Sequence, residues 1–412
     1  MDDIIIIGAS FAGLSLAHHL PEDYKILIIE RKASLRSNFE STGLITQATR
    51  DHLAGFVDVD KFIPNKITTI GVFSPDYDKH FFSSNDRPWI YSTDTPSLIS
   101  EMAETVPDNA RIEKAAVFSS FSIKNDSKYP VEVEYEKDGQ RYKVAAKFLV
   151  GADGANSRVA AGDARLSQNK KFLAGLEKVF YGNICFGPNP QATVYHFWFG
   201  AFSLGYGGWL SPTIIDGRPA FRVGLAKLEK DIKDLKKLDA FIEILKNKGI
   251  VKAESEAIST FGSLIPIGGV LPEIFTEHVL LLGDAAGFCG AFAADGIKGA
   301  VLSGKVAAKL LPPHLNGNKT SLLKFKDEMQ KFNKLMTYYK KQKFYRWLWN
   351  RMKRDRTFHS MYDLIAEHKD DFLAHFCDSK DNAKSLARIA ITPKNFTKAA
   401  KYALYVLMDI IY

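Results

Sequence analysis

The stretch "IIIIGASFAG", residues 4–13, predicts the turn that decides the fold. Ile4 to Ile7 form a β-branched apolar run, which is typical of a central parallel strand buried on both faces. Gly8 ends this run, and apolar residues at roughly helical spacing then lead to Pro21, which closes the segment. The sequence therefore predicts a strand, a tight turn and a helix, which is the context of a dinucleotide-binding fingerprint.

The turn departs from the G-x-G-x-x-G pattern at its middle position, where Ser10 replaces a glycine. Gly8 would make the tight turn, and Gly13 would let the helix pack closely on the strand. A serine is small enough to let a pyrophosphate approach the backbone, and its hydroxyl can bond a phosphate oxygen. We therefore expect Gly8, Ser10, Phe11, Ala12 and Gly13 to hold a pyrophosphate at the positive end of the helix.

A second apolar strand, "YKILIIE" at residues 24–30, ends in Glu30. An acid at this place, about 20 residues past the first glycine, accepts hydrogen bonds from the ribose of an adenosine. Glu30 and the following Arg31 are therefore included in the predicted site. Without Glu30 the incomplete turn motif would also fit an ordinary strand–turn–helix unit.

Two later segments repeat the strand–turn pattern. In "KFLVGADGANSRVA", residues 147–160, Asp153 and Gly154 form a turn in which Asp153 can bond a ribose hydroxyl or a backbone amide. The alternative is an Asp-Gly turn that only shapes the loop. In "HVLLLGDAAGFCGAFAADGIKGAVLSGKVAAKLL", residues 278–311, Asp284 follows a buried strand, and Gly296 and Ile297 begin a helix. The alternative is a plain strand–helix unit of a parallel sheet.

These three motifs, in this order and spacing, resemble the flavoprotein superfamily that includes aromatic hydroxylases, flavin-dependent halogenases and geranylgeranyl reductases. The resemblance extends from residue 1 to about residue 315 and implies FAD as the cofactor. It implies that Asp284 bonds a ribityl hydroxyl and that the helix starting at Gly296 and Ile297 directs its positive end at the flavin pyrimidine edge. No second G-x-G-x-x-G follows a strand, so the resemblance implies an external electron donor, NAD(P)H or a reduced electron carrier.

The segment "FWFGAFSLGYGGWLSP", residues 197–212, is rich in aromatic residues and glycine, which predicts sheet lining a cavity. It resembles the Tyr-x-Trp-x-Phe-Pro stretch of geranylgeranyl reductases through Tyr206, Trp209 and Pro212. Tyr206 lies one residue too early, and Ser211 replaces the phenylalanine. We predict that Tyr206 and Trp209 bind the substrate; the alternative is that this stretch is an aromatic sheet core.

Two more segments bear on this resemblance. "GSLIPIGG", residues 262–269, is similar to a stretch of the same reductases, and Thr42-Gly43 occupies the place of their Cys-Gly pair, which faces the flavin. The reductases' Pro-x-Thr-Gly-Glu-Gly loop reads "AFAADG" at residues 291–296. That difference leaves the chemistry beside the flavin open, and the sequence identifies no catalytic residue.

The bulk composition fits a globular flavoenzyme. Of 412 residues, 46% are hydrophobic and 25% are charged, which predicts a large core. Three widely separated cysteines predict neither a disulfide framework nor a metal site. The start Met-Asp-Asp leads directly into an apolar strand, and no run of about 18 apolar residues occurs, so we expect a cytoplasmic protein.

The net charge is +8, and residues 331–356 contain ten Lys or Arg against one Asp. Within this region, "YYKKQKFYRWLWNRMKRDR" at residues 338–356 interleaves aromatic and basic residues, as helices at an anionic membrane surface do. The predicted interfacial aromatic residues are Tyr338, Tyr339, Phe344, Tyr345, Trp347 and Trp349. The alternative is a helix that packs its aromatic residues on the substrate domain. Single-stranded nucleic acid also suits this composition, but a flavoenzyme is not expected to bind nucleic acid. Peripheral contact with the inner face of the membrane is the predicted interaction.

We predict an α/β fold with a Rossmann-like FAD-binding domain, an antiparallel-sheet substrate domain and a helical C-terminal region. The FAD-binding domain is expected at residues 1–60, 90–165 and 262–315, the substrate domain at 61–89 and 166–261, and the helical region at 316–412. The predicted activity is reduction of alkene bonds in an isoprenoid or other apolar, lipid-like substrate by hydride transfer from reduced flavin. A flavin-dependent monooxygenase or halogenase-like enzyme and a non-catalytic flavin-binding partner protein are the alternatives.

Overall fold

The computed structural model describes residues 1–36, 41–124, 127–197, 200–228, 236–376 and 395–411. Two residues of the aromatic stretch 197–212, at positions 198 and 199, lie outside these ranges. The chain forms a seven-stranded sheet, an eight-stranded sheet, a three-stranded sheet and a helical C-terminal region. In the described part of the chain, no helix has the length and apolar character needed to cross a membrane.

The secondary structure runs as follows. The strands are β1 (Asp2–Ile7), β2 (Ile26–Ile29), β3 (Leu44–Ile45), β4 (Asn65–Ile67), β5 (Thr69–Phe73), β6 (His80–Ser84), β7 (Ile90–Ser92), β8 (Ala110–Glu113), β9 (Ala116–Ile123), β10 (Val131–Lys137), β11 (Gln140–Gly151), β12 (Phe172–Ile184), β13 (Thr193–Phe197), β14 (Gly207–Ile215), β15 (Arg218–Leu228), β16 (Val251–Ala253), β17 (Ser259–Pro266) and β18 (Val279–Leu281). The helices are α1 (Phe11–His19), α2 (Gln47–Leu53), α3 (Thr95–Glu104), α4 (Arg158–Ala161), α5 (Lys236–Asn247), α6 (Gly296–Leu315), α7 (Phe325–Gln330), α8 (Leu335–Trp349), α9 (Asp355–Ala366), α10 (Lys369–Phe376) and α11 (Phe396–Ile411).

The first sheet has the order β8–β2–β1–β11–β10–β9, with β18 paired to β11. Strands β8, β2, β1, β11 and β18 are parallel, and β9 and β10 continue the sheet in antiparallel fashion. Ile4, Ile5 and Ile6 of β1 are fully buried, as expected of a central strand covered on both faces. The parallel arrangement confirms the predicted α/β class.

Helix α1, which follows the N-terminal turn, packs against α6. The helices approach closely because Gly304 has no side chain: a Cβ there would lie 2.6 Å from the carbonyl oxygen of Ala12. The Ser15 hydroxyl also donates a 2.8 Å hydrogen bond to the carbonyl oxygen of Val301. These contacts fix the start of α1 relative to the helix that follows β18.

The second sheet has the order β16–β12–β15–β14–β13–β5–β6, with β17 paired to β12. All neighbouring strands are antiparallel except β13 and β5. Helix α5 covers one face, where Phe241 packs in a cluster with Phe197 and Leu210. The opposite face contacts the N-terminal part of the chain at Thr42, whose hydroxyl donates a hydrogen bond to Glu177 of β12.

The C-terminal helices pack on the β5 and β13 side of the second sheet. Trp349, Phe358 and Tyr362 share a hydrophobic cluster with Ile70 and Val194. The predicted helical C-terminal region is therefore confirmed. The domain boundaries given above stay a prediction.

Candidate active site

The carboxyl ends of four parallel strands lie side by side at one edge of the first sheet. Register aligns their last residues, which are Ile29, Ile7, Gly151 and Leu281. Each is followed closely by a residue of the predicted cofactor site, namely Glu30, Gly8, Asp153 and Asp284. Ligands of open α/β sheets bind at this edge of the strands. Motifs more than 100 residues apart in sequence are thus brought together.

Two glycines shape the N-terminal turn. Gly8 has a φ of +106°, and a Cβ at this position would clash with the carbonyl oxygen of Ala152. A Cβ at Gly13 would clash with the carbonyl oxygen of Gly8. Ser10 is the N-cap residue of α1, is half-buried, and makes no capping hydrogen bond with its side chain. Its hydroxyl is therefore available beside the first N–H groups of the helix, which have no intrahelical partner.

Glu30 is buried beside this turn. One carboxylate oxygen accepts a 2.8 Å hydrogen bond from the backbone N–H of Ala9, and the other accepts one of 2.8 Å from that of Lys32. These bonds hold the carboxylate in a fixed orientation at the end of β2. Each carboxylate oxygen has a second lone pair that can accept a hydrogen bond from a ribose hydroxyl. Arg31 is exposed.

Asp153 follows the end of β11 and contacts the start of α4, whose N-cap residue is Ser157. Its carboxylate accepts hydrogen bonds from the Ser157 hydroxyl (2.6 Å) and from the backbone N–H groups of Arg158 (2.7 Å) and Val159 (3.1 Å). Burial raises the pKa of this carboxyl. Gly154 follows with a φ of +82°, and a Cβ there would meet nothing within 4 Å. Asp153 thus shapes the loop through backbone amides, and Gly154 leaves open space beside it.

Asp284 faces the start of α6. A Cβ at Gly296, the first residue of α6, would lie 2.9 Å from Oδ1 of Asp284, so glycine permits this close approach. Desolvation raises the pKa of the half-buried Asp284 to about 6. Ile297 packs against the core of the first sheet, which anchors the first turn of α6. The carboxylate and the positive helix end therefore share one place at the sheet edge.

These residues fit an FAD molecule. Glycines allow close backbone approach at the turn, the N-terminus of α1 favours the pyrophosphate, and Glu30 offers acceptors to the ribose. Asp284 and the N-terminus of α6 can form hydrogen bonds with polar atoms in the flavin half of FAD. Among the described residues, no group of three or more His, Cys, Asp or Glu is arranged to hold a metal ion.

The Thr42-Gly43 segment joins this site to the second sheet. The Thr42 hydroxyl donates a 2.8 Å hydrogen bond to Oε2 of Glu177. Gly43 has a φ of +70°, and a Cβ there would clash with the Thr95 hydroxyl at the start of α3. The segment is therefore held on one side by α3 and on the other by β12.

Trp209 of β14 lies across the neighbouring strand. Its Nε1–H donates a 2.7 Å hydrogen bond to the same Oε2 of Glu177, two strands away. Gly224 of β15 is aligned with both residues, and a Cβ there would overlap the indole ring. Trp209 is half-buried on the sheet face that Thr42 contacts.

Tyr206 lies on the other side of the second sheet. It is buried in the cluster that contains Phe202 and Phe241, beneath α5. The structure therefore does not bring Tyr206 together with Trp209. Tyr206 could therefore affect a substrate bound at Trp209 only through other residues. Trp209 itself is close to the Thr42-Gly43 segment.

Three residues at this place were missed by sequence reasoning. Glu177 and Arg222 form a buried ion pair, with 3.3 Å between Nη1 and Oε1. His196 of β13 is aligned with Trp209, and desolvation lowers its pKa to about 4. The available signal for the ion pair was charged residues inside two otherwise apolar strands, "LEKVF" and "AFRVGLA". Their pairing depends on strand register and cannot be read locally.

Helix α8 contacts the loop 288–295, which leads to α6. The side-chain oxygen of Gln342 accepts hydrogen bonds from the backbone N–H groups of Phe292 (3.0 Å) and Ala293 (2.8 Å). Arg346 donates through Nε to the carbonyl oxygen of Ala291 at 2.8 Å. The Tyr338 hydroxyl donates to Asp295 at 2.8 Å. One face of α8 therefore holds the backbone of this loop.

This contact corrects part of the prediction for residues 338–356. Tyr339 and Trp349 are buried, so they cannot reach a membrane surface. Phe344 and Trp347 are exposed by 57% and 46%. The aromatic residues thus divide between an inner face, which packs on the protein, and an outer face.

Comparisons with known proteins agree with the predicted cofactor. Residues 1–171 match the FAD binding domain family. The chain is 24% identical over 422 residues to digeranylgeranylglycerophospholipid reductase 3 of Methanosphaera stadtmanae, covering 98% of both chains. It is 34% identical over 167 residues to an FAD-dependent monooxygenase of Penicillium ochrochloron, covering 38% of both chains.

The fold is similar to that of a geranylgeranyl bacteriochlorophyll reductase-like protein from Thermoplasma acidophilum. The TM-score is 0.75 at 16% identity, and the match covers 98% of this chain and 99% of that one. FAD is the cofactor of the protein, and the site residues described above stay a prediction. The resemblance predicted from the motifs is confirmed: the chain carries an FAD binding domain and is similar along almost its whole length to a digeranylgeranylglycerophospholipid reductase and to a geranylgeranyl reductase-like structure.

Proposed function

We propose that the protein reduces carbon–carbon double bonds in the isoprenoid chains of a lipid. The observation that carries this proposal is the similarity to digeranylgeranylglycerophospholipid reductase 3 over 98% of the chain. That similarity extends through strands β12 to β17 of the second sheet and the C-terminal helices, which lie outside the FAD binding domain match at residues 1–171. An isoprenoid chain also suits an apolar environment.

The second sheet offers an apolar environment beside the predicted cofactor site. Leu173, Ile267 and Ala291 form a buried cluster that connects β12 and the end of β17 to the loop 288–295. Gly175 and Gly224, which have no side chains, flank the indole of Trp209. Trp209 can therefore contact an alkene chain along the sheet surface. Burial of each CH₂ group contributes about 0.8 kcal/mol to binding of such a chain.

In this proposal the chain's own residues bind and orient. Glu30 and the turn at Gly8–Gly13 hold the adenosine and pyrophosphate part of the cofactor, while Trp209 fixes the substrate chain. FAD, when bound and reduced, would supply the hydride, and each double bond would take up a hydride and a proton. NAD(P)H or a reduced electron carrier would provide the electrons from outside.

Contact with an anionic membrane is part of the proposal, because the substrate would reside there. The exposed face of α8 presents Phe344 and Trp347 together with Lys340 and Lys341. Aromatic residues sink to the headgroup level, and basic residues are attracted to anionic lipid.

A flavin-dependent monooxygenase is the second candidate. The 34% identity to the Penicillium ochrochloron monooxygenase favours it, although that similarity covers 38% of the chain. The third candidate, a non-catalytic flavin-binding partner protein, predicts no change of any substrate.

Anaerobic single turnover separates these candidates. The FAD-loaded protein is reduced with dithionite and mixed with a phospholipid that carries geranylgeranyl chains, and the lipid is analysed by mass spectrometry. A reductase adds pairs of hydrogen atoms without oxygen present. A monooxygenase leaves the lipid unchanged until oxygen is admitted and then adds an oxygen atom. An unchanged lipid under both conditions contradicts both enzymes. Trp209→Ala should bind FAD but lose turnover.

A further inference from the structure

Glu177 and Arg222 form a buried ion pair on the face of the second sheet that Thr42 contacts. Side-chain exposure is 1% for Glu177 and 8% for Arg222. Burying two charges costs more than such a pair usually returns in stability, so a buried pair is weak support for a purely stabilising role. The pair also lies where the sheet meets the Thr42-Gly43 segment. This position calls for a different explanation.

The remaining contacts of the pair connect two separate parts of the protein. Oε2 of Glu177 accepts from Nε1 of Trp209 at 2.7 Å and from the Thr42 hydroxyl at 2.8 Å. Nη1 of Arg222 donates to the carbonyl oxygen of Ser41 at 3.1 Å. One carboxylate oxygen therefore holds both the indole on the sheet and the segment that lies between the sheet and α3.

The sheet is built so that this contact can form. Gly224 is the aligned partner of Trp209 on one side and of Glu177 on the other. With no Cβ in the way, the indole crosses β15 and reaches the carboxylate. Hydrogen bonds to an ionised acceptor are short and strong, so they restrict the ring more than neutral ones would.

Resting on the proposed function, we propose that Glu177 is a positioning residue for catalysis. It sets the indole of Trp209 and the Thr42-Gly43 segment relative to one another, and so fixes how a substrate chain lies against the cofactor. Arg222 neutralises the carboxylate and ties it to the same segment. Glu177 acts through these groups and need not touch the substrate.

The test removes each donor and leaves the ion pair in place, because replacing Glu177 would leave the buried Arg222 without a counter-charge. The variants are Trp209→Phe, Thr42→Val and the double variant. Trp89→Phe is the matched control, since Trp89 is also buried and its Nε1–H donates to the Ser83 carbonyl oxygen. Each single site variant should lose about tenfold or more in kcat, with FAD affinity unchanged, because it loses a hydrogen bond to a charged group.

Because both donors use one oxygen atom, their effects on kcat should be non-additive, whereas Trp89→Phe and Thr42→Val should combine additively. Single variants within twofold of wild type, or an additive site pair, would overturn the proposal.

A separate readout does not need an alkene: the fluorescence of Trp209, taken as wild type minus Trp209→Phe, should shift in the Thr42→Val background. If wild type reduces no alkene but this shift occurs, the proposed function fails and the positioning role stands. No shift overturns the positioning role.

Discussion

Gly224 shows how a single residue fixes the geometry of the site. Its missing side chain leaves the space that the indole of Trp209 occupies, and a Cβ would overlap the ring. A short side chain at this position would therefore displace the ring and break the bond to Glu177. The displacement of the ring concerns the aligned residues Glu177, Gly224 and Trp209, so substitutions at these positions can isolate its effect.

Gly224→Ala should destabilise the protein by about 1–3 kcal/mol, as overpacking of a filled site does. In a Trp209→Ala background the same change should cost much less, because the ring is gone. Urea unfolding of the four proteins measures this coupling. Gly268→Ala is the control, since a Cβ at Gly268 meets nothing within 4 Å. Equal costs of Gly224→Ala in both backgrounds would contradict the described position of the ring.

Glu30 should govern the affinity for FAD. Glu30→Gln replaces a carboxylate that can accept from the ribose, and the loss of charge-assisted hydrogen bonds costs about 1.5–3 kcal/mol each. The dissociation constant, measured by titrating apoprotein with FAD, should rise by at least about tenfold. Glu22→Gln, at an exposed position, should leave it unchanged. An unaltered affinity for Glu30→Gln would make Glu30 a strand-end acid without a cofactor role.

His196 should make stability depend on pH. Desolvation lowers its pKa to about 4, so the folded protein binds this proton less well than the unfolded chain does. The stabilising contribution of neutral His196 is present above its unfolded pKa of about 6.5 and is lost as the pH falls toward 4. Between pH 7 and pH 5, wild type should lose about 1–2 kcal/mol relative to His196→Gln in urea unfolding. Parallel losses in both proteins would show that His196 is not desolvated.

At the scale of elements, α8 has two roles that its sequence does not separate. Gln342 and Arg346 bond the backbone of the loop 288–295, while Phe344 and Trp347 face outward. This loop joins the Gly283–Ala286 turn, which carries Asp284, to the start of α6. We therefore expect its backbone geometry to affect the predicted cofactor site.

Gln342→Ala should loosen this loop without unfolding the helix. The change removes the acceptor of the Phe292 and Ala293 amides, and each lost hydrogen bond contributes about 0.5–1.5 kcal/mol. Hydrogen exchange at these two amides should accelerate, and FAD should dissociate faster. Lys340→Ala, on the exposed face of the same helix, is the control. Unchanged exchange would show that other contacts hold the loop.

The sequence predicted the features that depend on local patterns and missed those that depend on contacts between distant residues. Strand–turn–helix units are local, so Gly8, Gly13 and Glu30 could be placed from their spacing, and the parallel sheet edge then brings the later motifs beside them. The partners of α8 are backbone groups about 50 residues away. No local pattern encodes such a partner, so the basic and aromatic residues along α8 left a membrane-surface helix and a helix packed on the substrate domain as alternatives.

The same argument explains the substrate side. Trp209 was identified by a resemblance, but Glu177 and Arg222 meet it only because β12, β15 and β14 are adjacent in that order. Strand order in an antiparallel sheet with long connections does not follow from periodicity. Tyr206, three residues from Trp209, lies on the other face beneath α5.

At the scale of the whole molecule, exposed apolar residues concentrate in the C-terminal helical region. Besides Phe344 and Trp347 of α8, helix α11 exposes Phe396, Leu404, Leu407, Ile410 and Ile411. Residues 331–356 also carry ten basic residues against one acid, and of these ten only Arg346 is buried. Exposed apolar groups together with positive charge suit an anionic bilayer, where each exposed basic residue contributes about 1 kcal/mol.

The protein should therefore bind vesicles that contain anionic phospholipid at low salt, and should bind neutral vesicles little. Lys340→Glu, Lys341→Glu and Lys343→Glu together should abolish sedimentation with anionic vesicles while FAD stays bound, because the attraction becomes repulsion at the exposed face of α8. The control triple Lys25→Glu, Lys114→Glu and Arg141→Glu changes the net charge equally, at exposed positions in or next to strands of the first sheet, and should still bind. If both triples lose binding to the same degree, net charge alone governs it. Equal binding of wild type to neutral and anionic vesicles would contradict electrostatic docking, because the exposed basic residues of α8 could not then be the cause.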